Sequence, residues 1–248
     1  MILIKSAAEI ELMREAGRIT AGALRVVGEA VRPGITTKEL DRIAEEYIRS
    51  QGAEPAFLGY YGFTGTLCTS VNEQVVHGIP GRRVLQEGDI VSVDCGAIYE
   101  GYYGDSAVTF PVGEVSQEAR RLMDVTRAAL EAGIAKCRPD MRLYDVGHAV
   151  QQVAEAAGFS VVREYVGHGI GRDMHEDPQV PNFGKAGTGP QLKAGMVLAV
   201  EPMINAGRHE VRGLDDGWTV VTADSKLSAH FEHTIAITAD GPLVLTVE

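Results

Sequence analysis

The sequence predicts an α+β fold made of two helix–helix–strand–strand halves, their sheets meeting around an approximate twofold axis with the helices outside. Three observations predict it. Two short sequence signatures recur at one constant offset, each recurrence is followed by a helical pattern of apolar residues, and each half then reaches an apolar strand that ends in an acid.

The repeat begins with Ala23-Leu24 ahead of Arg32-Pro33, which returns as Ala129-Leu130 ahead of Arg138-Pro139. Both pairs move by 106 residues (Ala23 to Ala129, Arg32 to Arg138), and self-similarity at a fixed period is the mark of a duplicated unit. After the first Arg-Pro, Leu40, Ile43, Ala44 and Tyr47 share one helix face; after the second, Val146, Ala149, Val150 and Val153 do. The strand Gly88-Asp89-Ile90-Val91-Ser92-Val93-Asp94 then corresponds to Gly195-Met196-Val197-Leu198-Ala199-Val200-Glu201. Each half supplies a second acid ahead of another strand-like run, Asp105 before Ser106–Phe110 and Glu232 before His233–Ile237. No linker rich in Pro, Gly or Ser separates the halves, so one catalytic domain is expected over residues 1–248, with halves of about 1–112 and 113–248. Pro181–Gln191, rich in Gly and Pro, reads as a surface loop.

Composition narrows the function classes. With 248 residues, 45% hydrophobic and 23% charged, the chain can bury a core without disulfides. A net charge of −11 gives nucleic-acid binding no electrostatic support and favours a cationic ligand such as a free amino terminus. Cys68, Cys95 and Cys137 are odd in number and widely spaced, which fits free thiols in a reducing cytosol. The start MILIKSAAEIELMREAG lacks the apolar core of a signal peptide, and no apolar run suffices to span a bilayer.

Carboxylates are rare in strands and rarely buried unless paired or bound to a cation, yet four sit at the ends of strongly apolar strands here. With Glu100-Gly101 as a hairpin tip, Asp105 faces Gly96, which shares a sheet face with Asp94. The two aspartates are then diagonal neighbours, with Gly96 expected to leave the space between them open. Converging carboxylates repel and hold a proton unless a cation lies between them. Pseudo-symmetry puts Glu201 and Glu232 on the equivalent face, and about −4 of formal charge calls for two divalent ions, roughly 3.5–4 Å apart in two-metal hydrolytic sites. Oxygen-rich ligation favours manganese, iron or cobalt, with zinc and nickel as further options.

His168 lies in Val166-Gly167-His168-Gly169-Ile170-Gly171, His175 in Asp173-Met174-His175-Glu176-Asp177-Pro178, and His77 in Val75-Val76-His77-Gly78-Ile79-Pro80, all loop or strand-to-turn contexts. His148, His209 and His230 read as surface or satisfied core histidines, and alternation turns His233 away from the face of Glu232.

As an ordered set, NEQVVHGIP, GDIVSVDCGAIYEGYYGDSA, YVGHGIGRDMHEDP, LAVEPMI, DGWTVVTAD and SAHFEHTIAIT resemble the methionine aminopeptidases over nearly the whole chain. The resemblance implies the pita-bread fold, with a central curved antiparallel sheet, and removal of N-terminal methionine when the second residue is small. It implies two divalent metal ions held by Asp94, Asp105, His168, Glu201 and Glu232, with Asp105 and Glu232 bridging. It implies that Glu201 carries the water's proton, that His175 stabilises the oxyanion and that His77 holds the scissile amide. Tyr60, Phe63, Cys68 and Trp218 match the methionine pocket, while Phe57 replaces a frequent cysteine and Met174 a frequent aromatic. Glu201 and Glu232 lie too close in sequence for the type II insertion, and no N-terminal zinc-binding extension is seen, so the chain resembles the bacterial type I enzymes. The implied partners are nascent polypeptide N-termini, with transient ribosome association, no nucleic-acid specificity and no membrane; a cytoplasmic monomer is expected. The alternatives are a proline-specific peptidase of the same fold, which would carry an extra N-terminal domain, a metal-free binding protein, which would have lost ligands, and a purely structural acidic domain.

Overall fold

Each helix starts where its sequence supplies a cap. The computed structural model describes residues 1–248, with α1 at Ala7–Ala30, α2 at Thr37–Ser50, α3 at Gln117–Ile134 and α4 at Leu143–Ala156. Ser6 and Glu9 form a capping box on α1, Thr36 accepts from Glu39 N ahead of α2, and Ser116 accepts from Ala119 N ahead of α3. On α4, Asp145 reaches back to the backbone N–H of Arg142 at 2.7 Å. The first half supplies β1 (Glu54–Pro55), β2 (Leu67–Val71), β3 (Gln74–Val76), β4 (Ile90–Tyr99) and β5 (Tyr102–Pro111). The second supplies β6 (Ser160–Val161), β7 (Gly167–Gly169), β8 (Glu176–Val180), β9 (Val197–Val200), β10 (Met203–Asn205), β11 (Val211–Gly213), β12 (Val220–Thr222), β13 (Ser228–His230), β14 (His233–Thr238) and β15 (Gly241–Val244).

Two cores mirror the repeat. Ala23, Leu24, Leu40, Ala44, Val91 and Val93 are buried in one, and their counterparts Ala129, Leu130, Val146, Val150, Leu198 and Val200 in the other. The first core lies under the sheet β1-β4-β2, to which β5 adds; the second lies under β15-β14-β9-β7-β8. The β4–β5 hairpin has the expected register, Gly96 opposite Asp105. Glu100 (φ 49°) and Gly101 (φ 79°) are both left-handed, the geometry of a tight turn whose twist matches the strands.

Hydroxyl groups stitch the two sheets together along β5. Glu232 N donates to Ala107 O at 2.9 Å, Ser106 Oγ donates to Glu232 O at 2.6 Å, and Thr109 Oγ1 donates to His230 O at 2.8 Å. Thr234 Oγ1 accepts from Asp105 N at 3.1 Å and donates to Asp105 O at 2.7 Å. The second half departs from a simple strand–strand hairpin. β9 and β14 do pair, His233 opposite Val200, but β10 to β13 intervene and build two small sheets with β6 and β3. Those strands have three residues each, too few for an alternation to show in the sequence.

Helix α1 rides directly on β5. A side chain at Gly104 would meet the backbone N of Gly17 at 2.6 Å and C of Ala16 at 2.7 Å, so helix and strand approach at backbone distance one residue from Asp105. Gly104→Ala is expected to cost about 1–3 kcal/mol by overpacking, read from the urea midpoint. An unchanged midpoint would mean that α1 lifts away without cost.

Candidate metal centre

Five side chains from five points of the chain meet where the two sheets join. Asp94 comes from β4, Asp105 from β5, His168 from β7, Glu201 follows β9 and Glu232 precedes β14. One ligand atom each from Asp105, His168 and Glu232 lies within 4.8 Å of the others, and the three side chains are buried. His168 Nε2 stands 3.8 Å from Asp105 Oδ2 and 3.6 Å from Glu201 Oε1. Asp94 and Glu201 line the same cleft.

No lysine or arginine reaches this cluster: the cleft lining contains none. Buried oxygens of Asp94 (Oδ1), Asp105 (Oδ1) and Glu232 (Oε1) have no hydrogen-bond partner, which a native interior rarely tolerates. His168 Nδ1 donates to Gly169 O at 2.8 Å, so the neutral ring turns its Nε2 lone pair toward the carboxylates. Orphaned anionic oxygens and an imidazole lone pair aimed at one point form the donor set of a divalent cation.

Proton affinities follow from the same crowding. Burial raises Asp94 well above the usual carboxylate range, and the charges of Asp105 and Glu201 add to the rise. Burial pushes Asp105 up to about 7, with its hydrogen bond to Asp94 acting against the rise. Burial, then the Asp105 charge, raises Glu201, and burial with the charges of Asp105, Glu201 and Asp94 raises Glu232. The histidines move the other way: burial lowers His168 and His77 to about 4 and His230 to about 3, and also lowers His175 and His233.

These shifts set a pH dependence. The folded acids bind protons that the unfolded chain releases, so each destabilises the metal-free protein as pH rises from its ordinary value through its raised one. The histidines, kept neutral in the fold, oppose this trend below 6.5. Above 6.5 the acids act alone, and Asp105 titrates near 7. The melting temperature of the metal-free protein is therefore expected to fall as pH rises above 6.5, and manganese should remove the fall. A profile that stays flat without metal would contradict the crowding of charge.

Beside the carboxylates an apolar pocket opens. Phe57, Tyr60, Phe63, Cys68, Met174 and Trp218 line it, in a cleft of about 820 Å³ including its mouth. Phe63 and Trp218 pack edge-on with centroids 5.0 Å apart. The Tyr60 hydroxyl lies 2.8 Å from His175 Nδ1, and the His175 and His168 rings are 4.3 Å apart. His77, left-handed at φ 60°, stands between Tyr165 (5.7 Å) and Trp218 (6.4 Å).

Every residue singled out from the sequence as ligand, catalytic or pocket residue therefore lines one cleft. Two details differ from expectation. The space above Gly96 is not open: a side chain there would meet Ala56 Cβ and Phe57 Cε1 at 2.9 Å and Met174 Cε at 3.3 Å. The missing side chain makes room for the pocket wall rather than for a cation. His230 is also no bystander. It is 1% exposed, its Nε2 has no hydrogen-bond partner, and that atom lies 3.5 Å from Glu201 Oε2. Its place two residues before Glu232, on the same face by strand alternation, was the available signal. Val76, Tyr165, Val166 and Met203 complete the lining without having been singled out as site residues in the sequence.

Known proteins resemble the chain over its whole length. Metallopeptidase family M24 matches residues 11–239. The chain is 58% identical to the methionine aminopeptidase of Clostridium perfringens, over 100% of this chain and 99% of that one. It is 55% identical to methionine aminopeptidase 1 of Bacillus subtilis over 99% of each. The crystal structure of methionine aminopeptidase from Thermotoga maritima superposes with a TM-score of 0.98 at 50% identity, covering 100% of both chains. The prolidase of Pyrococcus furiosus shares the fold alone, with a TM-score of 0.77 at 24% identity and 65% of its length covered.

Proposed function

The chain belongs to metallopeptidase family M24, among the methionine aminopeptidases, and from that premise we propose that it removes N-terminal methionine from polypeptides whose second residue is small, using two divalent ions. The observation that carries the reading is the apolar, partly aromatic pocket set directly beside five converging metal-binding side chains. Residues 1–248 act as one catalytic unit, because Asp94 and Asp105 come from the half 1–112 and His168, Glu201 and Glu232 from the half 113–248.

Asp94, Asp105, His168, Glu201 and Glu232 would hold the ions, with cobalt, manganese or iron suited to so many oxygens. When bound, such ions supply Lewis acidity, making a water acidic near neutral pH and polarising a carbonyl. The protein does the rest. The pocket takes the methionine side chain, with Phe63 and Trp218 forming its aromatic wall. Glu201 Oε1 and Oε2 lie among His168 and His230, which places a carboxylate where it can take a proton from water and pass it to the leaving amine. His175 and His77, whose proton affinities desolvation lowers, present N–H groups to the scissile amide. The reading extends to nascent chains as substrates and to transient contact with the ribosome. Three buried free thiols, and the lack of any helix long and apolar enough to cross a membrane, accord with a reducing cytoplasm.

The test is cleavage of Met-Ala-Ser against an Ala-Pro peptide, with and without chelator, together with elemental analysis of protein purified without oxygen. Chelator-sensitive release of methionine alone is expected. Release of the Ala-Pro residue instead, or cleavage indifferent to chelator, would overturn the reading.

A further inference from the structure

An ion pair outside the cleft bears on the loop that carries His175. The segment before α1 is anchored to the turn ahead of β9, where Lys5 N donates to Gly195 O at 2.7 Å. From that anchor the Lys5 ammonium pairs with the Glu176 carboxylate, and both side chains are only 5% exposed. Neither residue lines the cleft. The second Glu176 oxygen accepts from the backbone N–H groups of Arg172 (3.0 Å) and Asp173 (3.4 Å), folding the loop Gly171–Glu176 onto its own carboxylate. The fit leaves no slack: a side chain at Gly171 would meet Glu176 Oε1 at 2.4 Å and Lys5 Cε at 2.6 Å. Met174 and His175 line the cleft while Glu176, the next residue, turns into Lys5.

A buried ion pair gives little net stability over apolar packing, because desolvating both charges offsets their attraction. It is nevertheless demanding in geometry, since either charge left alone in the interior is costly. We propose that Lys5 and Glu176 are positioning residues for the reaction: their pairing fixes the loop so that His175 stays on the Tyr60 hydroxyl and beside His168. The inference rests on the aminopeptidase reading, to which it adds two residues that touch neither substrate nor ligand positions.

The test uses the full chain loaded with manganese and the variants Lys5→Met, Glu176→Gln and the double variant. Lys5→Met is expected to lower kcat for Met-Ala-Ser by roughly tenfold to a hundredfold, the scale of a catalytic group displaced by about 1 Å. KM and the manganese isotherm should stay as in the wild type. The double variant, which strands no charge, should lose no more than either single variant, since partners acting as one unit are not additive. Hydrogen exchange at the Arg172 and Asp173 amides should accelerate in all three. Wild-type kcat in Lys5→Met and in the double variant would overturn the inference, as would losses that multiply or that follow lost manganese. A wild-type protein that leaves Met-Ala-Ser intact would instead sink the aminopeptidase reading, and the exchange rates would still report on the pair.

Discussion

Asp105→Ala is expected to abolish manganese uptake and methionine release together while the fold persists. Asp105 sits at the junction of the two sheets, 4% exposed, with one oxygen unpartnered. Its backbone makes the structural contacts, exchanging hydrogen bonds with Thr234 Oγ1, and these survive loss of the carboxylate. Removing one of four crowded acids also relieves repulsion in the metal-free chain, so its melting temperature should not fall. The loss of metal should be complete, because Asp105 belongs to the tight group with His168 and Glu232. Calorimetric titration with manganese, melting curves and the Met-Ala-Ser assay check the three parts. Full activity in a variant without bound metal would remove Asp105 from the centre.

For His175→Ala, turnover should fall by roughly two or more orders of magnitude, the scale of one lost oxyanion donor. Metal content should not change, because the five side chains proposed to hold the ions do not include His175, whose Nδ1 is engaged with the Tyr60 hydroxyl. The ring is built to donate. Desolvation lowers its proton affinity, and a Tyr60 hydroxyl that donates to Nδ1 would leave the ring proton on Nε2. Tyr60→Phe should then cost less than His175→Ala, since it removes control of the tautomer but leaves the ring. Single-turnover kinetics with elemental analysis separates these outcomes. Unaltered turnover in His175→Ala would end the assignment.

The fold was legible where the chain repeats itself and where a turn pins a register. Glu100-Gly101 reads as a hairpin tip, and a two-residue loop there places Asp105 opposite Gly96, the register the hairpin has. The duplication carries the pairing of β4 with β5 over to β9 with β14, and with it Glu201 and Glu232 to the same junction. What escaped depends on residues far apart in the chain. A glycine shows that a side chain is missing but not what fills its place, and at Gly96 the occupants are Phe57 and Met174. The three-residue strands β10 to β13 have no period to detect. His230 was read singly, as histidines usually must be, although its spacing from Glu232 already put it on the ligand face.

Trp218 is the only tryptophan in the chain, and it stands against Phe63 in the wall of the apolar pocket. Emission excited beyond the absorption of the eight tyrosines therefore has one source, located in the wall of that pocket. Inhibitor binding, product lingering after turnover and closure of the wall around a thioether can each be followed as a change in intrinsic fluorescence, with no label attached.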